Sequence, residues 1–107
     1  MNDIYLDLPD DFHLTLSSMA ILELFSGKST RNIKVEKKIE ELISKFEIKD
    51  IDRKVSKRAG ILMRDNKITI GLADYILAAT AMEIGAQVVT LNKKHFQKIP
   101  GLSIYSP

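Results

Sequence analysis

Asp74 is the residue of this chain whose surroundings most demand an explanation. It stands in a helix-forming stretch whose other members, Leu72, Ala73, Ile76, Leu77, Ala79, Ala81, Met82 and Ile84, are apolar or small. At about 100° per residue these positions leave almost no polar face, so the helix is expected to be buried. An ionised carboxylate in that setting is costly unless it is paired, protonated or bound to a cation. Ala78 at i+4 and Ala81 at i+7 leave space above it. A second acid, Glu23, is the only one in another mostly apolar helix, Met19–Ser26. Two carboxylates that share a site repel each other unless a cation neutralises them. An all-oxygen site suits Mg²⁺ or Mn²⁺, and such sites activate water and neutralise charge on a transferring phosphoryl group. Asn92, Lys93, Lys94 and His95 follow in one polar turn. Taken singly, each of these residues also has an ordinary reading. The acids could be caps or structural pairs, the histidine a surface residue, and the lysines a solvated turn with weak specificity for phosphate.

The elements that must position these groups can be taken in order. Ile4, Leu6 and Leu8 alternate with Tyr5 and Asp7 as in a strand, but could equally end a helix stopped by Pro9. Phe12–Leu16 alternates as a strand, with His13 expected to face water. Ser17 or Ser18 caps the helix Met19–Ser26, and Gly27 is placed to end it. Ile33–Phe46 is amphipathic through Val35, Ile39, Leu42, Ile43 and Phe46. Glu47–Ile51 is a short strand candidate. Asp52 caps a helix Arg53–Asp65 with Val55, Ala59, Leu62 and Met63 at helical spacing. The Asp74 helix closes at Gly85, and Ala86–Leu91 is a buried strand. Asn92–Gln97 is a turn or short helix, and a tight connection at Ile99-Pro100-Gly101-Leu102 leads to a last strand, Ser103–Tyr105. Helices alternating with single strands imply an α/β fold with a mainly parallel sheet flanked by helices in three layers. Ligands bind beyond the carboxyl ends of such strands, where Glu23 and Asn92 both fall.

The composition bounds the rest. The 107 residues make one domain, 45% apolar and 28% charged, with a net charge of +2 that is too small to imply nucleic acid by itself. There is no cysteine, hence no disulfide and no thiolate chemistry. No basic-then-apolar leader and no membrane-length apolar run is present, so a cytoplasmic protein with no membrane partner is expected. Gly-rich phosphate loops, zinc-protease and serine-hydrolase motifs are absent from the sequence.

Leu72-Ala73-Asp74-Tyr75-Ile76-Leu77-Ala78-Ala79-Thr80-Ala81, then Gly85-Ala86, Val88-Val89-Thr90-Leu91-Asn92-Lys93-Lys94-His95-Phe96 and Ile99-Pro100-Gly101-Leu102, resemble the C-terminal half of PIN-domain proteins. VapC-type toxin ribonucleases are the most similar by pattern. Ser17-Ser18 followed by Ile21-Leu22-Glu23-Leu24 is similar to the family's second strand and the helix bearing its second acid. The resemblance implies a metal-dependent endoribonuclease acting on single-stranded RNA, using Mg²⁺ or Mn²⁺, often a homodimer bound by an antitoxin protein. It places Glu23 at the second acidic position, Asp74 at the third and Asn92 at the fourth, with His95, Lys93 and Asp7 as accessory candidates. Asn92 and His95 carry no negative charge, so the fourth position is weakened. Only Leu8–Asp11 separate Asp7 from the strand at Phe12, too few for a parallel crossover of about a dozen residues or more. The expectation is therefore a single PIN-like domain over 1–107 with an atypical segment at 1–11 and without the family's first strand and first acid. Its activity is expected to be reduced or lost. The alternative is a non-catalytic PIN-like interaction protein that dimerises or binds an antitoxin.

Overall fold

Two serines at the end of a short strand set the first half of the molecule. In a computed structural model that describes residues 13–90 and 93–105, strand β1 (Thr15–Ser17) runs directly into helix α1 (Ser18–Ser26). Ser17 closes the strand and caps the helix, its hydroxyl accepting the Met19 N–H at 3.2 Å. A 3₁₀ turn at Lys28–Arg31 follows, which the sequence pattern did not anticipate. Gly27 at the end of α1 has extended backbone (φ −70°), so it stops the helix without the left-handed conformation that glycine often supplies. Asn32 then caps α2 (Ile33–Ile43) through the Lys34 N–H. The amphipathic pattern reaches Phe46, but the helix stops at Ile43. Lys45 and Phe46 donate to carbonyls only three residues back, which tightens the last turn.

Strand β2 (Glu47–Lys49) returns parallel to β1, with Thr15 opposite Glu47, Leu16 opposite Ile48 and Ser17 opposite Lys49. The expected strand Glu47–Ile51 is cut short for a visible reason: the Ile51 N–H leaves the ladder and donates to the Ser18 hydroxyl at 3.2 Å. His13 lies just before β1 and is exposed, but it hydrogen-bonds Glu47 rather than only facing water.

Helix α3 (Arg53–Asp65) has the bounds its sequence implies. Asp52 accepts the Val55 N–H at 2.9 Å and also holds Lys49 at 2.8 Å. Val55, Ala59 and Leu62 turn inward, whereas Met63 is exposed. At 100° per residue Met63 lies about 80° from Val55 and 100° from Leu62, so its spacing is helical but its direction is not that of the core.

Helix α4 (Leu72–Ile84) packs against α3 and carries the centre of the core: Tyr75, Ile76, Ala78, Ala79, Thr80 and Ala81 are buried. The small side chains let α3 approach closely, and Arg58 on α3 pairs with Glu83 on α4. Gly85 ends α4 at φ 66°, and the Ala86 N–H bonds the Ala81 carbonyl at 2.9 Å, a left-handed cap. Only the two ends of α4 reach solvent with apolar side chains, Leu72 and Ile84.

The expected strands Ala86–Leu91 and Ser103–Tyr105 are reduced, among the described residues, to one parallel bridge between Val88 and Ile104. Val88 is buried, donates to the Ser103 carbonyl and accepts from the Tyr105 N–H, each at 2.9 Å. Between the Gly85 cap and the next helix, α5 (Lys93–Phe96), little length is left for a longer ladder. The fold is thus α/β, with parallel pairing in both places where strands meet. Phe96 and Ile99 seal the core from the α5 side. No described helix is long and apolar enough to cross a membrane.

Candidate functional site

The first turn of α4 fixes one functional group. Gly71 supplies no capping side chain, but its carbonyl accepts the N–H of Asp74 (3.1 Å) and of Tyr75 (3.2 Å), so the turn is closed by the backbone. Asp74 sits in that turn, where the partial positive charge of a helix N-terminus favours a carboxylate by about 0.3–1 kcal/mol. One residue on, the buried Tyr75 reaches back to the incoming connection. Its hydroxyl lies 3.2 Å from the Asn66 carbonyl and 3.0 Å from that of Ile68, and so ties the approach to α4 in place. Ala78, fully buried one turn further, adds no bulk beside the acid. The Asp74 side chain is 29% exposed, neither sealed in the core nor freely solvated.

A second group comes from α5. This short helix is anchored by Phe96, which is 0% exposed, and the Gln97 N–H bonds the Lys93 carbonyl at 2.8 Å. With Phe96 directed inward, the preceding His95 is turned outward and is 52% exposed. Its Nδ1 lies 3.9 Å from Asp74 Oδ2. That is too long for a hydrogen bond, yet it sets an imidazole nitrogen and a carboxylate oxygen side by side at a wet edge of the molecule. Lys93 is half-buried and Lys94 exposed on the same helix, giving this edge a cationic flank.

Glu23 is placed differently. Helix α1 packs on α4 and buries Ala20, so Glu23 and Asp74 are carried by neighbouring helices. The Glu23 side chain is exposed, however, and so is Leu22 at 62%. The apolar composition of α1 therefore does not put Glu23 in an apolar setting. A nine-residue helix has one face against its neighbours, and Glu23 is off that face. Among the described residues, no three His, Asp or Glu side chains gather closely enough to hold a metal ion. Glu23 thus does not close a three-donor cluster with Asp74 and His95 in this conformation. Asp7 and Asn92 lie outside the described residues.

Two contributors were missed from sequence. The Tyr75 hydroxyl acts on carbonyls seven and nine residues earlier, and no local pattern marks that. The Ser18 hydroxyl acts on Ile51, thirty-three residues later. The pair of serines after a strand was the available signal, and capping is the only role it suggests.

The chemistry of the described donors is one carboxylate and one imidazole, both reachable by water, with a further carboxylate facing solvent on the adjacent helix. Two such donors can hold a divalent cation that keeps several waters. They fit no closed structural metal site, which would need four.

Comparison with known proteins agrees with this architecture. Residues 3–102 match the PIN domain. Ribonuclease VapC10 of Mycobacterium tuberculosis is 33% identical over 89 residues, which cover 80% of this chain. The match spans 65% of that relative's own length. Among solved structures, VapBC2 from Rickettsia felis, bound to a DNA fragment from its promoter, superposes with a TM-score of 0.81 at 29% identity, covering 89% of this chain and 75% of the other. DNA-bound VapBC from Salmonella typhimurium gives 0.76 at 31% identity, covering 85% and 73%.

Proposed function

The chain belongs to the PIN-domain family, and on that premise we propose that it is a VapC-like endoribonuclease of toxin–antitoxin type whose metal site is centred on Asp74. The observation that carries this reading is the position of Asp74: a half-exposed acid in a rigid helical turn, with the His95 nitrogen 3.9 Å away. Asp74 and Glu23 are the acids that would hold Mg²⁺ or Mn²⁺, with Asn92 completing the donor set. The cation, when bound, supplies neutralisation of phosphodiester charge and activation of water. The chain's own residues do the rest. The backbone-closed turn at Gly71 and the Tyr75 tether hold the Asp74 carboxylate in place. Lys93 and Lys94 on α5 supply positive charge for the backbone of single-stranded RNA, contacts that position without reading sequence. By the same reading the protein works in the cytoplasm, forms a homodimer and is held by an antitoxin.

The test compares wild-type protein with Asp74→Asn on single-stranded RNA in the presence of Mn²⁺, with circular dichroism to confirm that both are folded. Loss of several kcal/mol of charge stabilisation predicts cleavage slower by at least about a hundredfold in the variant. Equal cleavage by the two proteins removes Asp74 from the chemistry. One observation favours a second reading, that of a non-catalytic module which dimerises or binds an antitoxin: no three-donor cluster is present among the described residues. Calorimetric titration with Mn²⁺ separates the two, since a protein that takes up no metal at millimolar concentration can only be the second.

A further inference from the structure

Outside the acid positions, the side chain with the most unexplained placement is His95. The chain has two histidines, and His13 is occupied with Glu47 on the far side of β2 from any acid of the site. His95 has a defined direction despite its exposure, because Phe96 beside it is locked into the core. Its Nδ1 stands 3.9 Å from Asp74 Oδ2. Two donors each about 2.1 Å from a shared cation are at most about 4.2 Å apart, so this pair can bridge one ion without moving. Carboxylate oxygens alone favour Mg²⁺ and Mn²⁺, whereas imidazole favours the later first-row metals.

We propose that His95 is a metal ligand of the Asp74 site, and that this nitrogen donor shifts the site's preference from Mg²⁺ towards metals such as Co²⁺. The inference rests on the assignment of Asp74 as a metal-binding acid and adds to it a ligand that the acid pattern lacks. The imidazole substitutes for negative charge with a more covalent bond, which suits a site poor in carboxylates. A Co²⁺ ion bound there carries one oxygen and one nitrogen from the protein, and its remaining positions stay with water.

The experiment titrates Co²⁺ and Mg²⁺ calorimetrically into the full chain in a His13→Gln background, so that His95 is the only histidine. Adding His95→Gln is expected to weaken Co²⁺ binding by at least about tenfold while changing Mg²⁺ binding by less than about twofold. Adding His95→Asp is expected to move the preference the other way, raising Mg²⁺ affinity at the cost of Co²⁺. Asp74→Asn in the same background is expected to weaken both metals. If His95→Gln leaves the ratio of the two affinities unchanged while Asp74→Asn weakens both, His95 is not a ligand and the Asp74 site stands. If Asp74→Asn binds both metals as the parent does, the Asp74 site falls and this inference with it. Loss of Co²⁺ binding on His13→Gln alone also overturns it. His95 is half exposed, so its substitution leaves the core intact, and circular dichroism checks this.

Discussion

Replacing Tyr75 by Phe isolates the tether that leads into α4. The ring is 5% exposed and packed in the core, so Phe keeps its volume and leaves no cavity. What is lost is one hydroxyl proton shared between two carbonyls, those of Ile68 at 3.0 Å and Asn66 at 3.2 Å. A single donor makes one hydrogen bond's worth of stabilisation, about 1 kcal/mol net. Carbonyls left bare in a dry interior would add about 1–3 kcal/mol. Asn66 and Ile68 are only half-buried, so water can replace the phenol and the addition stays at the low end. The sum is about 1–2 kcal/mol, or about 4–8 °C in melting temperature for a chain of this size. Thermal denaturation followed by circular dichroism measures it directly. Tyr75→Ala, by contrast, also opens a cavity and costs about 3–5 kcal/mol, which is too close to the whole stability of a small domain to be informative. A Tyr75→Phe protein that melts within 1 °C of wild type refutes the tether as a stabilising element. Asp74 keeps its own backbone bond to Gly71, so metal affinity in the Phe variant is expected to fall far less than in Asp74→Asn.

Two further substitutions test local reasoning. Gly85→Ala places a Cβ in open space but in a left-handed conformation (φ 66°), so it is expected to cost about 1–2 kcal/mol and lower the melting temperature by several degrees. An unchanged melt shows that the turn relaxes without penalty. The Asp52 carboxyl is held below the usual carboxylate range, first by its hydrogen bond from Lys49 and then by the Val55 N–H, and Asp65 is lowered by Arg64. For acids so lowered, the stabilisation is fully present above the unfolded-state value near about 4 and is lost as pH falls through the folded-state values. Melting temperature is therefore expected to be flat from neutral pH to about 5 and to decline below that, with a shallower decline in Asp52→Asn. Parallel acid profiles for the two proteins sink this account.

The helices were legible because what begins and ends them lies next to them in sequence. Asp52 caps α3 within three residues, and Gly85 ends α4 where the apolar run stops. Strand lengths were not legible, because they are set by partners far along the chain. Ile51 leaves β2 for a hydroxyl on Ser18, and Val88 finds its only bridge at Ile104. Glu23 shows a different limit. The composition of α1 suggested burial, but composition does not say which elements cover a helix, and here Leu22 and Glu23 both face solvent. Met63 repeats the lesson within α3, where spacing fixed the helix and only its rotation decided which side chains entered the core.

The three described donor positions differ in how firmly the fold holds them, and this orders their roles. Asp74 is fixed by a backbone-closed turn on the most buried helix of the molecule. His95 is fixed at one remove, since Phe96 sets the orientation of α5 and leaves the imidazole at the surface. Glu23 has no such constraint on its side chain beyond the helix that carries it. A site of this kind binds metal with an affinity set by its least ordered donor, because ordering that side chain costs free energy at the moment of binding. Asp74 and His95 then govern which ion is accepted and where it sits, whereas Glu23 governs how tightly it stays. Substitution at Glu23 should accordingly change the affinity for Co²⁺ and Mg²⁺ together, leaving their ratio to His95.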